Sequence, residues 1–528
     1  MTHVANVTIN PTHVDSNLTD FVVYIDLSDL PSSFWDLVQD GGGDIRCFKS
    51  DGTSELEREV VSCDTLLGLQ FDGTDDRVSL DSTVALQSGD TVTFVVSGFV
   101  GVGGENRYFM DGDGTRPYFY VQSAGTLNWN ASVISGVTLD GVAATAGATV
   151  MPVTGAQHTL VVTISASCDF DDIGSRYTST EEWPGVMHNV VVVRSAATLH
   201  SWDMGATRTG STITDTGTGD VDATLNNFPT DDSQWISTGT GELHVRYSGT
   251  LSATVDTVIQ IHADGSSSDY AVTATYGRDN VWQDYVLVHH YNTLTDSTGN
   301  GRTPSLQGGA RLTTGSGPLS GGVLRLDGSG DYALVSDAAS LDFTADFTMQ
   351  AWIKFDDTSK DQRIQRYDSG SKDGYSLSMT SAGTLSFRFW VNPSNSGSST
   401  ASSTATTNPV MLVGARSGGA PTLYVDAAAE TAGSSLTGTI NSNQHLRIGS
   451  DWGGTGNWLD GDIAEYRMLA TALSADWVDA EYTNQNTPST FYAATAVSAS
   501  GDFIQSIAGH GGIAGLGGNA GRAGGIAG

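Results

Sequence analysis

Residues 324–349 read LRLDGSGDYALVSDAASLDFTADFTM, and residues 69–94 read LQFDGTDDRVSLDSTVALQSGDTVTF. The two align without a gap. Leu69 matches Leu324, Asp72 and Gly73 match Asp327 and Gly328, Asp76 matches Asp331, and Leu86 matches Leu341. Each stretch is an alternating apolar run, an Asp-Gly turn and a second run, which is the pattern of an antiparallel hairpin. Further matches follow in order. SAGTL occurs at 123–127 and 381–385, QH at 157–158 and 444–445, and IGS at 173–175 and 448–450. A Trp-containing turn then leads to Gly185 or Gly461 and a final strand. Ordered repetition on this scale implies two copies of one β-sandwich.

The rest of the chain has the same texture. Gly is abundant (64 residues), Pro is scarce (12), and short Thr-, Val- and Ser-rich runs are broken by DG, GG and SG turns. That is an all-β composition. The clearest predicted strands lie at 92–100, 158–164, 188–193, 243–247 and 347–355. One helix is predicted over 474–486, with Ser474 as its N-cap and Trp477, Ala480 and Glu481 at helical spacing.

One repeated element is out of order. HHYNTLTDSTGNGRTPSL opens the second copy near His289, whereas HSWDMGATRTGSTITDTGTGDVDATL closes the first near His200. The first copy therefore reads as circularly permuted, which places its two ends close together and suits insertion into another domain. Residues 1–64 and 233–285 are predicted to form one split β-module. It hosts an inserted sandwich at 65–232, a second sandwich occupies 286–485, and 486–528 are linker and tail.

Charge narrows the partners. Fifty-nine acids against 24 bases give a formal net charge of −35, a surface that repels phosphate backbones and argues against nucleic acid. The same carboxylates suit divalent cations. No apolar run approaches the roughly 18 residues a spanning helix needs, so no membrane insertion is expected. The opening MTHVANVTINPTHVDSNLTD lacks the basic and apolar regions of a secretion signal. Cys47, Cys63 and Cys168 fit no zinc spacing and read as buried free thiols.

The second repeat, with LRIGSDWGGTGNWLDGDIAEYRMLATALSADWVDAEY after it, resembles a laminin-G-like domain of the concanavalin-A-like lectin superfamily. The carrying features are the DG-turn-DY hairpin, the FT-AWIK strand, the IGS loop and the G-x-I-x-E-x-R strand before a short helix. The first repeat resembles it more distantly, and the flanks resemble a β-module that precedes such domains in bacterial and phage surface proteins. The resemblance implies jelly-roll sandwiches of two antiparallel sheets, binding glycans or proteins through edge loops, often beside calcium.

Candidate sites follow from residue chemistry. Trp452 and Trp458 lie in the glycine-rich SDWGGTGNW, and Trp183 in EEWPG. Such rings either stack on sugars or plug the end of a sandwich. Asp72, Asp75 and Asp76, and in the repeat Asp327 and Asp331, form oxygen-rich turns that either bind calcium, the one candidate cofactor, or simply make good turns. Asp460, Asp462 and Glu465 of DGDIAE approximate a glycosidase strand motif. However, Glu465 points away from the other two unless a bulge intervenes, so no catalytic residues are expected. The neighbours His289 and His290 on one strand face opposite ways and cannot chelate one ion together.

The chain ends in a three-residue period. Gly509, Gly512, Gly515, Gly518 and Gly521 fall in one column, with Ile513 and Leu516 supplying bulk. This is either a flexible tail or an assembly device of extended chains packed about one axis. On the second reading the protein is a homo-oligomer, with a trimer favoured. The expectation is a non-enzymatic phage virion surface protein (fibre, spike or decoration). It would be made in the host cytoplasm, held by other virion proteins, and bind a host cell-surface polysaccharide or protein receptor. A bacterial adhesin and a purely structural decoration protein are the alternatives.

Overall fold

The computed structural model describes residues 3–497, apart from 114–115, 154–156, 177–180, 206–209, 231–232, 315–317, 320, 368–372, 392–395 and 434. The period-three residues 509–524 lie outside the described residues. At 49% strand and 7% helix, the protein is all-β. The alternating runs become strands with one face in a core. In His158–Ile164, for example, Leu160, Val162 and Ile164 are buried and their neighbours are not.

Two sandwiches carry most of the mass. In the second, one sheet runs Ala420–Val425, Val410–Ser417, Phe347–Phe355, Asp460–Leu469. Beyond Asp460–Leu469, Gly322–Asp327 and Tyr285–His289 pair with its two halves end to end. The facing sheet runs from Ser305–Gln307 through Tyr332–Val335, Leu446–Ile448, Gln362–Tyr367, Gly374–Met379 and Thr384–Trp390 to Ser396–Thr404. Phe347, Phe387, Ile463 and Met468 fill the space between.

The first sandwich is built on the same pairings. Thr91–Ser97 lies beside Pro184–Arg194, whose other edge is shared by the end of Glu55–Asp72 and by Ala197–Asp203. Ala197–Asp203 follows its partner strand in the chain, whereas Tyr285–His289 precedes its own. Both last strands carry a bulge three residues after a glycine, at His188 after Gly185 and at Ala464 after Gly461. The correspondence reaches single hydrogen bonds. Asp215 accepts the backbone N–H of Ser201, Gly217 and Val221. Asp296 accepts those of Val288, Thr298 and Arg302 at matching positions.

The match has limits. Gln157–His158 and Gln444–His445 are not equivalent, because His158 opens a strand beside Thr91–Ser97 while His445 precedes Leu446–Ile448 in the opposite sheet. In the first sandwich the strand beside Thr91–Ser97 is reached last, after the outer strand Ile134–Leu139. In the second the inner strand Val410–Ser417 comes first.

The flanking segments form one curled sheet. His3–Ile9 pairs with Thr257–Ala263, Val22–Asp26 with Trp235–Arg246, and Arg46–Lys49 with both Thr257–Ala263 and Glu55–Asp72. Two strands cross from this module into the first sandwich without a break. Glu55–Asp72 and Trp235–Arg246 pair antiparallel along the whole shorter strand, interrupted by one bulge. Cys47 and Cys63 are buried and unpaired in the module, and Cys168 in the first sandwich; burial pushes each thiol up to about 12.

Residues 487–497 correct the expected linker. The helix Ala475–Asn486 is capped by Ser474, whose side chain accepts the N–H of Trp477. After it the chain turns at Pro488 and adds Tyr492–Val497 as an edge strand against His3–Ile9. Phe491 and Tyr492 enter the module's core, and Asn484 makes a double hydrogen bond to the backbone of Tyr24 (2.7 and 2.8 Å). Truncation after residue 497 keeps every buried contact of this strand and serves as the reference. Truncation after 486 removes two buried aromatic side chains, each worth about 3–5 kcal/mol, and is expected to lower the melting temperature sharply; equal melting of the two forms would show the strand to be dispensable. Gly461 offers a point test. A Cβ there would sit 1.9 Å from the Lys354 carbonyl oxygen, so Gly461→Ala should cost about 3 kcal/mol or more in denaturant titration.

Candidate functional site: an aromatic rim and a buried junction

The loop 450–458 is a rigid turn. The Asp451 carboxylate accepts the backbone N–H of Gly453 and Thr455 (3.2 and 3.1 Å), and its carbonyl accepts that of Gly454. Gly454 has φ +66°, and a Cβ there would press on the Tyr332 hydroxyl at 2.8 Å. The turn carries Trp452 outward, 39% exposed, the one exposed aromatic side chain among the described residues. Trp458 is half-buried with its indole N–H enclosed.

The hairpin 327–331 lies against this loop. Gly328 packs on Asp460, and Tyr332, directly after Asp331, lies beneath Gly454. Trp452, Tyr332 and the Asp327–Asp331 turn therefore share one rim. Lys360 sits beside them, 3.1 Å from Asp357 and 3.6 Å from Asp460. The rim thus offers an aromatic face with charged and hydroxyl groups around it.

The aspartates are engaged in making their turns. Asp327 accepts the N–H of Ser329 (2.8 Å), and Asp331 accepts those of Asp327 (3.2 Å) and Gly309. In the first sandwich Asp72 accepts from Thr74 (2.7 Å) and Asp76 from Asp72 (2.8 Å). There Asp75 brings a third carboxylate within reach of the other two, where the second hairpin has Gly330. Burial, with Asp72 and Asp75 nearby, pushes Asp76 up to about 6 against the pull of the Asp72 N–H.

Trp183 is not a surface residue. It is wholly buried, stacked on Phe99 at 4.8 Å and tilted against Phe109 at 4.3 Å. Counted from Gly185 and Gly461, its counterpart is Leu459, which is also core. A plug at the end of the sandwich is its role.

The DGDIAE strand does contain the bulge that brings Glu465 onto the face of Asp462. The acids nevertheless meet different cations. Asp462 lies 3.3 Å from Arg325, Asp460 lies 3.6 Å from Lys360, and Glu465 binds Arg467.

Glu465 leads to a group that sequence reasoning missed. Its face of the strand packs on the split module, where Glu59, Glu242, His244, His290, Glu465, Arg467 and Glu481 are all buried. His244 Nε2 is 2.7 Å from Glu242, and His290 Nδ1 is 3.2 Å from Glu465 and 3.4 Å from Glu242. Glu59 accepts from Ser297 (2.7 Å) and the Trp282 indole, and lies 3.2 Å from His290 Nε2. Arg467 bridges Glu465 and Glu481 and stacks over Trp282 at 4.7 Å. Burial disfavours charge on His290, but Glu465 and Glu59 outweigh it and push it up to about 10. Burial, helped by Glu465, pushes Glu242 up to about 8. A cavity of about 210 Å³ opens beside Glu59 and Ser297, lined also by Arg58, Asp269 and Asn292. The only sequence signal was GELHVRY, in which Glu242, His244 and Arg246 alternate with apolar Leu243 and Val245. His289 and His290 do point apart; His290 meets His244 instead, at 4.7 Å between stacked rings.

No curated protein matches the sequence. Among solved structures the chain is similar to the botulinum neurotoxin serotype G binding domain (15% identity, 38% of this chain and 51% of that one, TM-score 0.33). It is also similar to the binding domain of Paraclostridial mosquitocidal protein 1 (14%, 38% and 51%, TM-score 0.32). A third is the botulinum neurotoxin serotype D ligand binding domain in complex with N-acetylneuraminic acid (14%, 38% and 51%, TM-score 0.31). The chain thus spans about half the length of these structures. Residues 327–479, the segment carrying the Trp452 rim, match the laminin-G-type family of the concanavalin A-like lectin/glucanases superfamily.

Proposed function

We propose that this protein binds glycans, without cleaving them, through the Trp452 rim of its second sandwich, and does so as a surface component of a bacteriophage particle. The observation that carries the binding role is the exposed Trp452 ring, held on an Asp451-pinned turn within the segment that matches a lectin superfamily. The flat face of an exposed tryptophan suits the apolar face of a pyranose, and tryptophan is enriched where binding energy concentrates. A hydrolytic role fits less well, since the three acids of the DGDIAE strand face different cations and do not converge on one point, whereas glycoside cleavage needs two carboxyls flanking one bond.

The matching pairings and hydrogen bonds of the two sandwiches support descent from one domain by duplication and permutation, with the first copy carried inside the split module. Rigid tandem sandwiches on a strongly acidic chain suit display from a particle. The period-three tail, through Ile513 and Leu516, would supply a homotrimeric assembly point.

Glycan-array binding of the full chain tests the site. Trp452→Ala should weaken binding by roughly tenfold or more while shifting stability by less than about 0.5 kcal/mol. Trp183→Ala should do the reverse, costing about 3–5 kcal/mol and sparing the affinity of whatever folds. Undiminished binding by Trp452→Ala, or reducing-sugar release that Glu465→Gln abolishes, would end this reading. Repeating the array in chelator tests calcium at Asp72, Asp76, Asp327 and Asp331. An antibody to the protein should label intact phage particles; labelling of bacterial cells alone would favour an adhesin.

A further inference from the structure

The joint between the split module and the second sandwich is held by polar groups that do not balance. Four buried carboxylates (Glu59, Glu242, Glu465 and Glu481) crowd one guanidinium, that of Arg467, and the imidazoles of His244 and His290. An apolar interior does not tolerate such an excess of negative charge, so protons or a metal must supply the difference. We infer that a divalent transition-metal ion binds at this joint, held by Glu242 and His244 from the module and by His290 and Glu465 from the second sandwich.

The geometry supports an ion over protons alone. Each of the four residues offers one nitrogen or oxygen, and these atoms lie within 4.8 Å of one another. A tetrahedral zinc with bonds of about 2.0–2.2 Å spaces its ligand atoms by about 3.3 Å, close to the 3.2 and 3.4 Å separating His290 Nδ1 from Glu465 Oε1 and Glu242 Oε1, the oxygens that also meet Arg467 and His244. Glu242 Oε2, Glu465 Oε2 and His244 Nδ1 are buried without a hydrogen-bond partner. Bare buried polar atoms in a folded protein call for an explanation, and an ion held by these side chains provides one.

An outer shell is present as well. Glu59 receives the Nε2 side of His290 and is itself fixed by Ser297 and Trp282. This is the carboxylate–histidine arrangement that orients a metal-bound imidazole with its other nitrogen on the ion. Arg467 holds one oxygen of Glu465 and leaves the second free. The His244 and His290 planes are 22° apart, so sharing an ion requires His244 to turn about its Cβ–Cγ bond. Its Nδ1 is unpartnered, and the turn exchanges the 2.7 Å contact of its Nε2 with Glu242 for the ion. Mixed imidazole and carboxylate donors suit zinc or a neighbouring first-row ion better than calcium, which prefers oxygen alone.

The test uses the full chain and is independent of the Trp452 reading, since glycan affinity is not its readout. Protein stripped with chelator and then given zinc should retain a stoichiometric ion through desalting, by elemental analysis. Its melting temperature should rise with the logarithm of free zinc, and cobalt in place of zinc should give the visible absorption of a tetrahedral site. His244→Gln should lose the ion, the cobalt spectrum and the zinc-dependent rise; Glu242→Gln serves if that variant does not fold. Asp76→Asn, which alters the other acidic cluster, should keep all three. Wild-type protein that retains no ion after zinc loading and melts at one temperature with or without it would overturn the assignment, as would zinc retention lost in Asp76→Asn alone.

Discussion

The antiparallel pairing of Trp235–Arg246 with Glu55–Asp72 makes a single body of what would otherwise be beads on a string. An eighteen-residue strand spans roughly 60 Å at 3.3 Å per residue, and here it crosses from one hydrophobic core to another with no change of secondary structure. An inserted domain ordinarily hangs on two loops, each free to bend. This one hangs on a hydrogen-bonded ribbon, so bending requires breaking a ladder. The same ribbon places Glu242 and His244 against the second sandwich, and it joins three chain segments that are distant in sequence.

Most of the architecture was legible from local pattern. The Asp-Gly hairpins and the capped helix follow from turn chemistry and periodicity, which depend only on near neighbours. The displaced HHYNT element suggests a permuted order, and Asp215 and Asp296 show why the element is recognisable. Each aspartate ties down one whole turn through three backbone N–H groups, so its spacing resists drift. The matches that misled were those resting on letters without such a constraint. Trp183 and the Trp452 loop share only a residue type. The backbone counts from Gly461, which no other residue can replace beneath the Lys354 carbonyl, and on that count the ring belongs in the core.

Two features were hidden for physical reasons. Tyr492–Val497 is an edge strand with few buried side chains, so it lacks the alternation that reveals strands, and its two anchors read as ordinary linker aromatics. The junction cluster assembles residues from four separate regions, and no local period can announce it. Glu465 illustrates the point. Regular alternation turns it from Asp462, a single bulge at Ala464 turns it back, and only the register against Trp352 and Ile353 shows which holds.

The bulge also explains why one strand serves two purposes. Before Ala464, Asp460 is at the rim side of the sandwich, near Lys360 and the Trp452 loop. After it, Glu465 and Arg467 are buried against the module. In the first sandwich the equivalent bulge holds His188, whose imidazole bonds Ser97 and the Leu67 carbonyl (2.8 Å each) and which burial keeps neutral. That site closes on itself, while the second site replaces His188 with Ala464 and leaves the space to a neighbouring domain. The same geometric irregularity thus became a finished hydrogen-bond cap in one sandwich and an open, charged docking face in the other. Charge at the second position is costly unless something neutral, protonated or metallic completes it. The joint fixes the distance between the module and the Trp452 rim, and so the direction in which Trp452 is presented.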